Sequence, residues 1–169
     1  YHQKYDYPPE TILSHTFWEE RPEEFYRFYR DKLIVKGAKP NAAHLRLAKL
    51  EREGKLKAVI TQNIDGLHQA AGSKTVYELH GSTLRNYCVK CGAFYDVDFI
   101  ANSTGVRRCP KCGGIIKPDV VLYEEGLDEQ VLSGAVSAIR RADTLIIGGT
   151  SLVVYPAAGL IRYFRGDHL

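Results

Sequence analysis

The chain has 169 residues, 44% of them hydrophobic and 25% charged. That length supports one domain with a real core and room for a small satellite. No apolar run approaches a membrane span, and a net charge of +3 is too small to argue for nucleic acid.

The opening stretch YHQKYDYPPETILSHTF is punctuated by Pro8-Pro9 and predicts a short helix from about Glu10. Glu19 to Leu33 reads as one longer helix. Phe25, Phe28, Tyr29 and Leu33 fall at helical spacing, with acids early and bases late as the helix dipole favours. Such an aromatic stripe is first a buried face, and only secondarily the wall of a pocket. After a loop at Gly37–Pro40, Asn41 is a cap candidate for a helix running to about Glu53, with Gly54 as its stop. His44 on that helix is read as a packed or interfacial histidine.

Leu56 to Ile60 is a short apolar run that predicts a buried strand. It stops abruptly at Thr61-Gln62-Asn63-Ile64-Asp65-Gly66, where a strand hands over to a helix. A second apolar-to-polar switch follows at Val76–Leu79, ending in His80-Gly81. In open α/β sheets ligands bind at the carboxyl ends of strands, so Asn63, Asp65 and His80 are expected around one crevice. Singly each residue has a structural reading: Asp65 as a helix cap, Asn63 as a turn residue, His80 as a local fixture. Together they exceed what a cap needs.

All four cysteines follow, as Cys88-x2-Cys91, seventeen residues, then Cys109-x2-Cys112. This spacing matches a four-thiolate zinc site, each pair straddling a tight turn beside Gly92 or Gly113. Two disulfides are the alternative, and the two-residue spacing disfavours a bond within either pair. Four Cys ligands leave no position for water, so the expected metal is structural. Nothing else in the chain suggests secretion, and the expected location is cytoplasmic.

Beyond the cysteines, Lys117–Tyr123 is expected to be extended and to resume a βα pattern. Leu127 to Arg141 is an amphipathic helix, with Val131, Leu132, Ala135, Val136 and Ile139 on one side. Thr144–Ile147 reads as an apolar strand ending in Gly148-Gly149-Thr150-Ser151, with a further helix from Pro156 to about Phe164. Strand, glycine turn and helix N-terminus together make a phosphate site. Ser133-Gly134-Ala135 is rejected as a second phosphate loop, because it lies inside a helix with no strand before it.

TQNIDGLHQAAG followed by ELHG resembles the signature of the sirtuins, NAD-dependent protein-lysine deacylases. The resemblance runs from about Pro8 to the end of the chain. It implies an α/β fold, a Rossmann-like parallel sheet with helices on both faces plus a small zinc-ribbon subdomain. The NAD-binding domain is expected over 1–82 and 118–169, incomplete and with a helical insertion near 1–36; the ribbon is expected over 83–117. By the same resemblance Gln62, Asn63, Ile64 and Asp65 line the nicotinamide and ribose pocket, and Gly149, Thr150 and Ser151 hold NAD. His80 is the general base, with Asn63 positioning a water or the ribose. Val120, Val121 and Tyr123 meet the acyl-lysine peptide, which pairs as an added strand. The implied reaction transfers the acyl group to ADP-ribose and releases nicotinamide.

The family pattern extends past both termini, so the chain is expected to be an internal fragment lacking the N-terminal Gly-rich loop and the C-terminal end. Tyr123-Glu124-Glu125 also departs from the Phe-Gly-Glu of many members, which is expected to affect acyl or peptide preference. Two other classes of reading stand beside deacylation. One is ADP-ribosyl transfer, or NAD binding without turnover, in the same pocket. The other is a zinc-ribbon interaction module, against which the Asn63, Asp65 and His80 triplet speaks.

Overall fold

The structure is a computed structural model and describes residues 5–169. Two compact units divide the chain. Among the described residues the first comprises 5–38, 64–66 and 80–126, and the second 39–63, 67–79 and 127–169.

The first unit begins with three short helices, α1 (Pro9–Ile12), α2 (His15–Glu20) and α3 (Pro22–Phe28), the last continued by a π-helical turn at Tyr29–Leu33. The single helix expected over Glu19–Leu33 is therefore broken. Pro22 offers no N–H for an unbroken helix, and Arg21 adopts a non-helical conformation (φ −132°, ψ 56°) between α2 and α3. Phe25, Phe28 and Tyr29 are nonetheless buried as the spacing predicts, with Leu33 packed partly against them. Tyr26 is fully buried too. Its hydroxyl donates to the carbonyl of Ile116 and accepts from Trp18 Nε1 at 3.2 Å. Leaving that hydroxyl unpaired in the core would cost about 1–3 kcal/mol.

Strands β3 (Gly81–Cys88), β4 (Phe94–Asp96) and β5 (Ile116–Val120), with helix α6 (Val97–Ala101) after β4, complete this unit. They form an antiparallel sheet in the order β4-β3-β5. Residues 116–120 thus do not resume a parallel βα pattern. Asn86 inside β3 is fully buried, and its side-chain amide points at the carbonyls of Thr83, Tyr95 and Asp96.

The second unit holds α4 (Ala42–Arg52), β1 (Val59–Thr61), α5 (Leu67–Ala70), β2 (Val76–Glu78), α7 (Glu129–Arg141) and a 3-10 helix at Ala157–Tyr163. Asn41 caps α4 as expected, accepting from the His44 N–H at 3.1 Å while His44 Nδ1 reaches back to the Asn41 N–H. The role of His44 is thus a capping box, completed by ring contact with His68 at 4.8 Å. β1 and β2 pair in parallel, Val59 opposite Val76 and Thr61 opposite Glu78. The core of this unit is Leu79, Ala135, Ile139, Ala157 and Leu160. Gly134 lies within α7, as the rejection of a phosphate loop there requires; a Cβ at that position would come 2.3 Å from the Tyr77 ring. It is a close-packing glycine.

Thr144–Ile147 is not a strand. Its ladder contacts are one parallel bridge from Thr144 to His168 and the Leu145 N–H bond to the His168 carbonyl. Ile146 is 85% exposed. Hydrophobic composition alone does not make a strand where no neighbouring strand supplies hydrogen bonds. Among the described residues, no helix is long and apolar enough to cross a membrane.

Candidate functional site

In the first unit the four cysteines converge. Their sulfurs all lie within 4.8 Å of one another, with Cys88 to Cys112 at 3.4 Å and Cys91 to Cys109 at 3.6 Å. Tetrahedral zinc with bonds near 2.3 Å places sulfurs about 3.8 Å apart, so the cluster fits a four-thiolate ion. The sulfurs are unbonded to one another, and all four converge on one point, an arrangement that fits a shared ion better than two separate disulfides. Each knuckle is closed by a backbone bond: Gly92 N–H to the Cys88 carbonyl at 2.9 Å, and Gly113 N–H to the Cys109 carbonyl at 2.8 Å. The Lys90 N–H lies 3.4 Å from Cys88 Sγ. Tyr95 Oη sits 3.1 Å from Cys109 Sγ, and this contact lowers the thiol's pKa toward the thiolate that a metal requires.

His80 stands half-buried immediately before β3. Its carbonyl accepts the Val121 N–H at 3.0 Å. The base candidate and the candidate peptide edge are therefore neighbours. Gly81, next in the chain, makes this possible. A Cβ there would lie 1.9 Å from the Asp119 carbonyl oxygen, and its φ is +75°. Ile64 and Asp65 belong to the same unit, and the Ile64 carbonyl accepts from both the Thr83 N–H (2.9 Å) and its hydroxyl (3.1 Å).

The stretch after Val120 is tied to the N-terminal helices. Tyr123 bridges to Ser14: its N–H donates to the Leu13 carbonyl at 2.9 Å, and its own carbonyl accepts from His15 N–H at 3.0 Å. Both backbone groups of Tyr123 are thus engaged, while its side chain is 48% exposed. Glu124, where the family resemblance leads one to expect glycine, takes φ +77°. Its carboxylate accepts from the Thr16 N–H (2.9 Å) and hydroxyl (2.7 Å), and these bonds hold its pKa below the usual range. Glu125 accepts from His15 Nδ1 at 2.8 Å, from Lys117 at 3.1 Å and from the Leu122 N–H at 2.9 Å. Burial pushes Glu125 up, but these partners outweigh it and the net shift is downward. The bond to Glu125 in turn raises the pKa of His15. Nothing in the sequence pattern marked His15 and Thr16; only the fold brings them to residues 124–125.

In the second unit Gln62 and Asn63 follow β1, and the Asn63 N–H donates to Thr61 Oγ1 at 3.0 Å. Gln62 Nε2 lies 3.5 Å from Thr150 Oγ1, so two of the expected cofactor residues are brought together across 88 positions of chain. Gly149, Thr150 and Ser151 form an exposed turn, and the Leu152 N–H donates to Thr150 Oγ1 at 3.1 Å. The expected strand before this turn is absent. The helix after it starts at Ala157 and is a 3-10 helix. The turn therefore offers open backbone and hydroxyls rather than a helix N-terminus. A side-chain amide, hydroxyls and an uncovered glycine turn are groups that suit ribose and phosphate oxygens.

The Sir2 family pattern matches residues 2–156. The chain is 64% identical over 166 residues to an NAD-dependent protein deacetylase of Clostridium acetobutylicum, covering 98% of this chain and 68% of the relative. It is 68% identical over 164 residues to the enzyme of the same description from Clostridium perfringens, covering 96% and 67%. Among solved structures, Sir2Tm bound to a propionylated peptide superposes with a TM-score of 0.88 at 43% identity, covering 97% of this chain and 72% of that one. A Sir2–p53 peptide–NAD+ complex gives 0.86 at 44%, covering 96% and 71%. With its mixed α/β fold, parallel strand pair and four-cysteine cluster, the chain belongs to the Sir2 family. It spans about two thirds of the length of these relatives.

Proposed function

We propose that the protein containing this chain is an NAD-dependent protein-lysine deacetylase or deacylase. The observation that carries the reading is the placement of His80, half-buried at the start of β3 and joined through its backbone to Val121. NAD, when bound, supplies the ADP-ribose that accepts the acyl group, with nicotinamide as leaving group. Gln62, Asn63, Ile64 and Asp65 bind and orient its nicotinamide ribose end. Gly149, Thr150 and Ser151 hold its ribose and phosphates. Asn63 also positions a water or a ribose hydroxyl. His80 accepts the hydroxyl proton as general base. Val120 and Val121 offer a strand edge to the acyl-lysine peptide, and Tyr123 its side chain. Zinc on Cys88, Cys91, Cys109 and Cys112 organises residues 83–117 as a ribbon within the cofactor-binding chain of 1–82 and 118–169. The compartment proposed is the cytoplasm, where thiolates stay reduced.

The test is incubation of the longer protein with acetylated peptide and NAD, read by mass spectrometry. Deacetylated peptide with O-acetyl-ADP-ribose is the expected result. An ADP-ribosylated product, or none, would replace this reading with ADP-ribosyl transfer or NAD binding alone. His80→Ala should lower turnover by roughly 10²–10⁴-fold while thermal stability and NAD binding stay near wild type. Near-normal turnover would remove His80 from the mechanism.

A further inference from the structure

We infer that Glu124 is a positioning residue: its carboxylate latches the turn carrying the candidate peptide edge onto helix α2. The inference rests on the deacylase reading for its kinetic consequence, and on geometry for the latch itself.

A non-glycine residue in the left-handed region pays a conformational penalty, and the surrounding structure must hold it there. Among the described residues only Glu124 and Leu152 do so outside glycine. What Glu124 gains is two hydrogen bonds on one carboxylate oxygen, from the N–H and the hydroxyl of Thr16. Thr16 lies in the first turn of α2, where N–H groups lack partners within the helix and a negative charge is favoured. Glycine would adopt the same φ without penalty but would bring no carboxylate. The residue present is therefore the one that exchanges backbone ease for a tether.

The tether acts at a defined place. Val121 is bonded to His80, and Tyr123 is paired on both backbone groups to residues 13 and 15. Glu125 adds a second set of bonds to His15 and Lys117. Residues 121–125 are thus fixed at one end to the base candidate and at the other to α2, and the Glu124 side chain closes the α2 end. A peptide adding to Val120–Val121 meets an edge whose position is already set. The ordering cost is then borne in folding rather than in binding.

Two substitutions separate positioning from fold maintenance. Glu124→Ala keeps the strained φ and loses the tether. Glu124→Gly relieves the strain and loses the tether. In the full-length protein, Glu124→Ala should lower thermal stability slightly, and Glu124→Gly should restore or exceed it. Both should raise the KM for acetyl-lysine peptide by roughly three- to tenfold, the loss expected for about one hydrogen bond's worth of ordering. The kcat at saturating peptide and the KM for NAD should hold. Amide hydrogen exchange of residues 120–125, measured without NAD or peptide, should accelerate in both variants and in Thr16→Val. If Glu124→Gly recovers the peptide KM along with stability, Glu124 is merely structural and the inference fails. Unchanged exchange over 120–125 also overturns it. A wild-type protein with no deacetylase turnover would sink the function proposed above, while the exchange data would still decide the latch.

Discussion

At the scale of single residues, the tightest constraint lies at Gly81. The approach of β5 leaves no room for a Cβ there, and the left-handed backbone excludes ordinary side chains as well. Gly81→Ala should destabilise the protein by about 3 kcal/mol or more, since both close approach to backbone and strain act together. Because Gly81 sits between His80 and the β3–β5 pairing, activity should fall with stability, unlike the profile expected of His80→Ala. Denaturant unfolding of the two variants side by side checks this; a Gly81→Ala protein of wild-type stability would show that the chain relaxes there at little cost. Tyr26 illustrates the same economy differently. One ring fills the core and one hydroxyl satisfies the Ile116 carbonyl, and neither was part of the stripe of Phe25, Phe28, Tyr29 and Leu33 read from the sequence.

Among the elements, α4 and β2 are joined by one side chain. Glu51 near the end of α4 accepts the N–H groups of Lys74 and Thr75, both at 2.7 Å, just before β2 begins. Those bonds favour the ionised carboxylate and lower its pKa. A depressed carboxylate contributes stability that is present above its unfolded pKa, roughly 4.3. That contribution is lost as pH falls through the lower folded value. Stability at pH 7 and pH 5.5 should therefore differ little on account of Glu51, and the loss should come below about pH 4.5. Glu51→Gln should flatten this acid limb and lower the melting temperature at neutral pH by a few degrees, the surface exposure keeping the effect small. Melting curves across pH 3–7 for the two proteins decide it; identical acid limbs would show that Glu51 does not report on folding. This pairing also shows where sequence reading stops. The Asn41 cap, the Gly54 stop, the α7 amphipathicity and the cysteine knuckles are local patterns, and they were legible; the strands read at Leu56–Ile60 and Val76–Leu79 were legible in place but not in bounds, being observed at Val59–Thr61 and Val76–Glu78. The break at Arg21-Pro22, the antiparallel use of β5, and the unpaired stretch at 144–147 depend on which neighbour supplies hydrogen bonds, a non-local fact. For the site, the cysteines and the Gln62–Thr150 proximity followed from motif and resemblance; the grip of Glu124 on Thr16 did not.

For the whole molecule, the division into two units makes the metal's influence uneven. All four cysteines lie in the first unit, between strands and knuckles that hold the β3–β5 pairing. Metal binding and folding free energy are linked in such sites. Chelation, or Cys109→Ser, should raise amide exchange across residues 83–120 well before it touches β1, β2 and α7. The measurement is exchange with and without chelator on the full-length protein, together with a metal assay. Unchanged protection over 83–120 after zinc loss would end the structural role of the metal.

The chain passes from one unit to the other at 38/39, 63/64, 66/67, 79/80 and 126/127, so neither unit is a continuous stretch. During synthesis this imposes a wait. Tyr26 emerges 90 residues ahead of the carbonyl that its hydroxyl needs, and Thr16 appears 108 residues ahead of Glu124. At ribosomal rates that interval is roughly 5 to 20 s. Throughout it Phe25, Tyr26, Phe28 and Tyr29, four large rings in five positions, lack the part of their core that Ile116, Val120 and Leu122 supply. The nascent chain therefore carries an incompletely covered aromatic segment until Leu122 has left the tunnel.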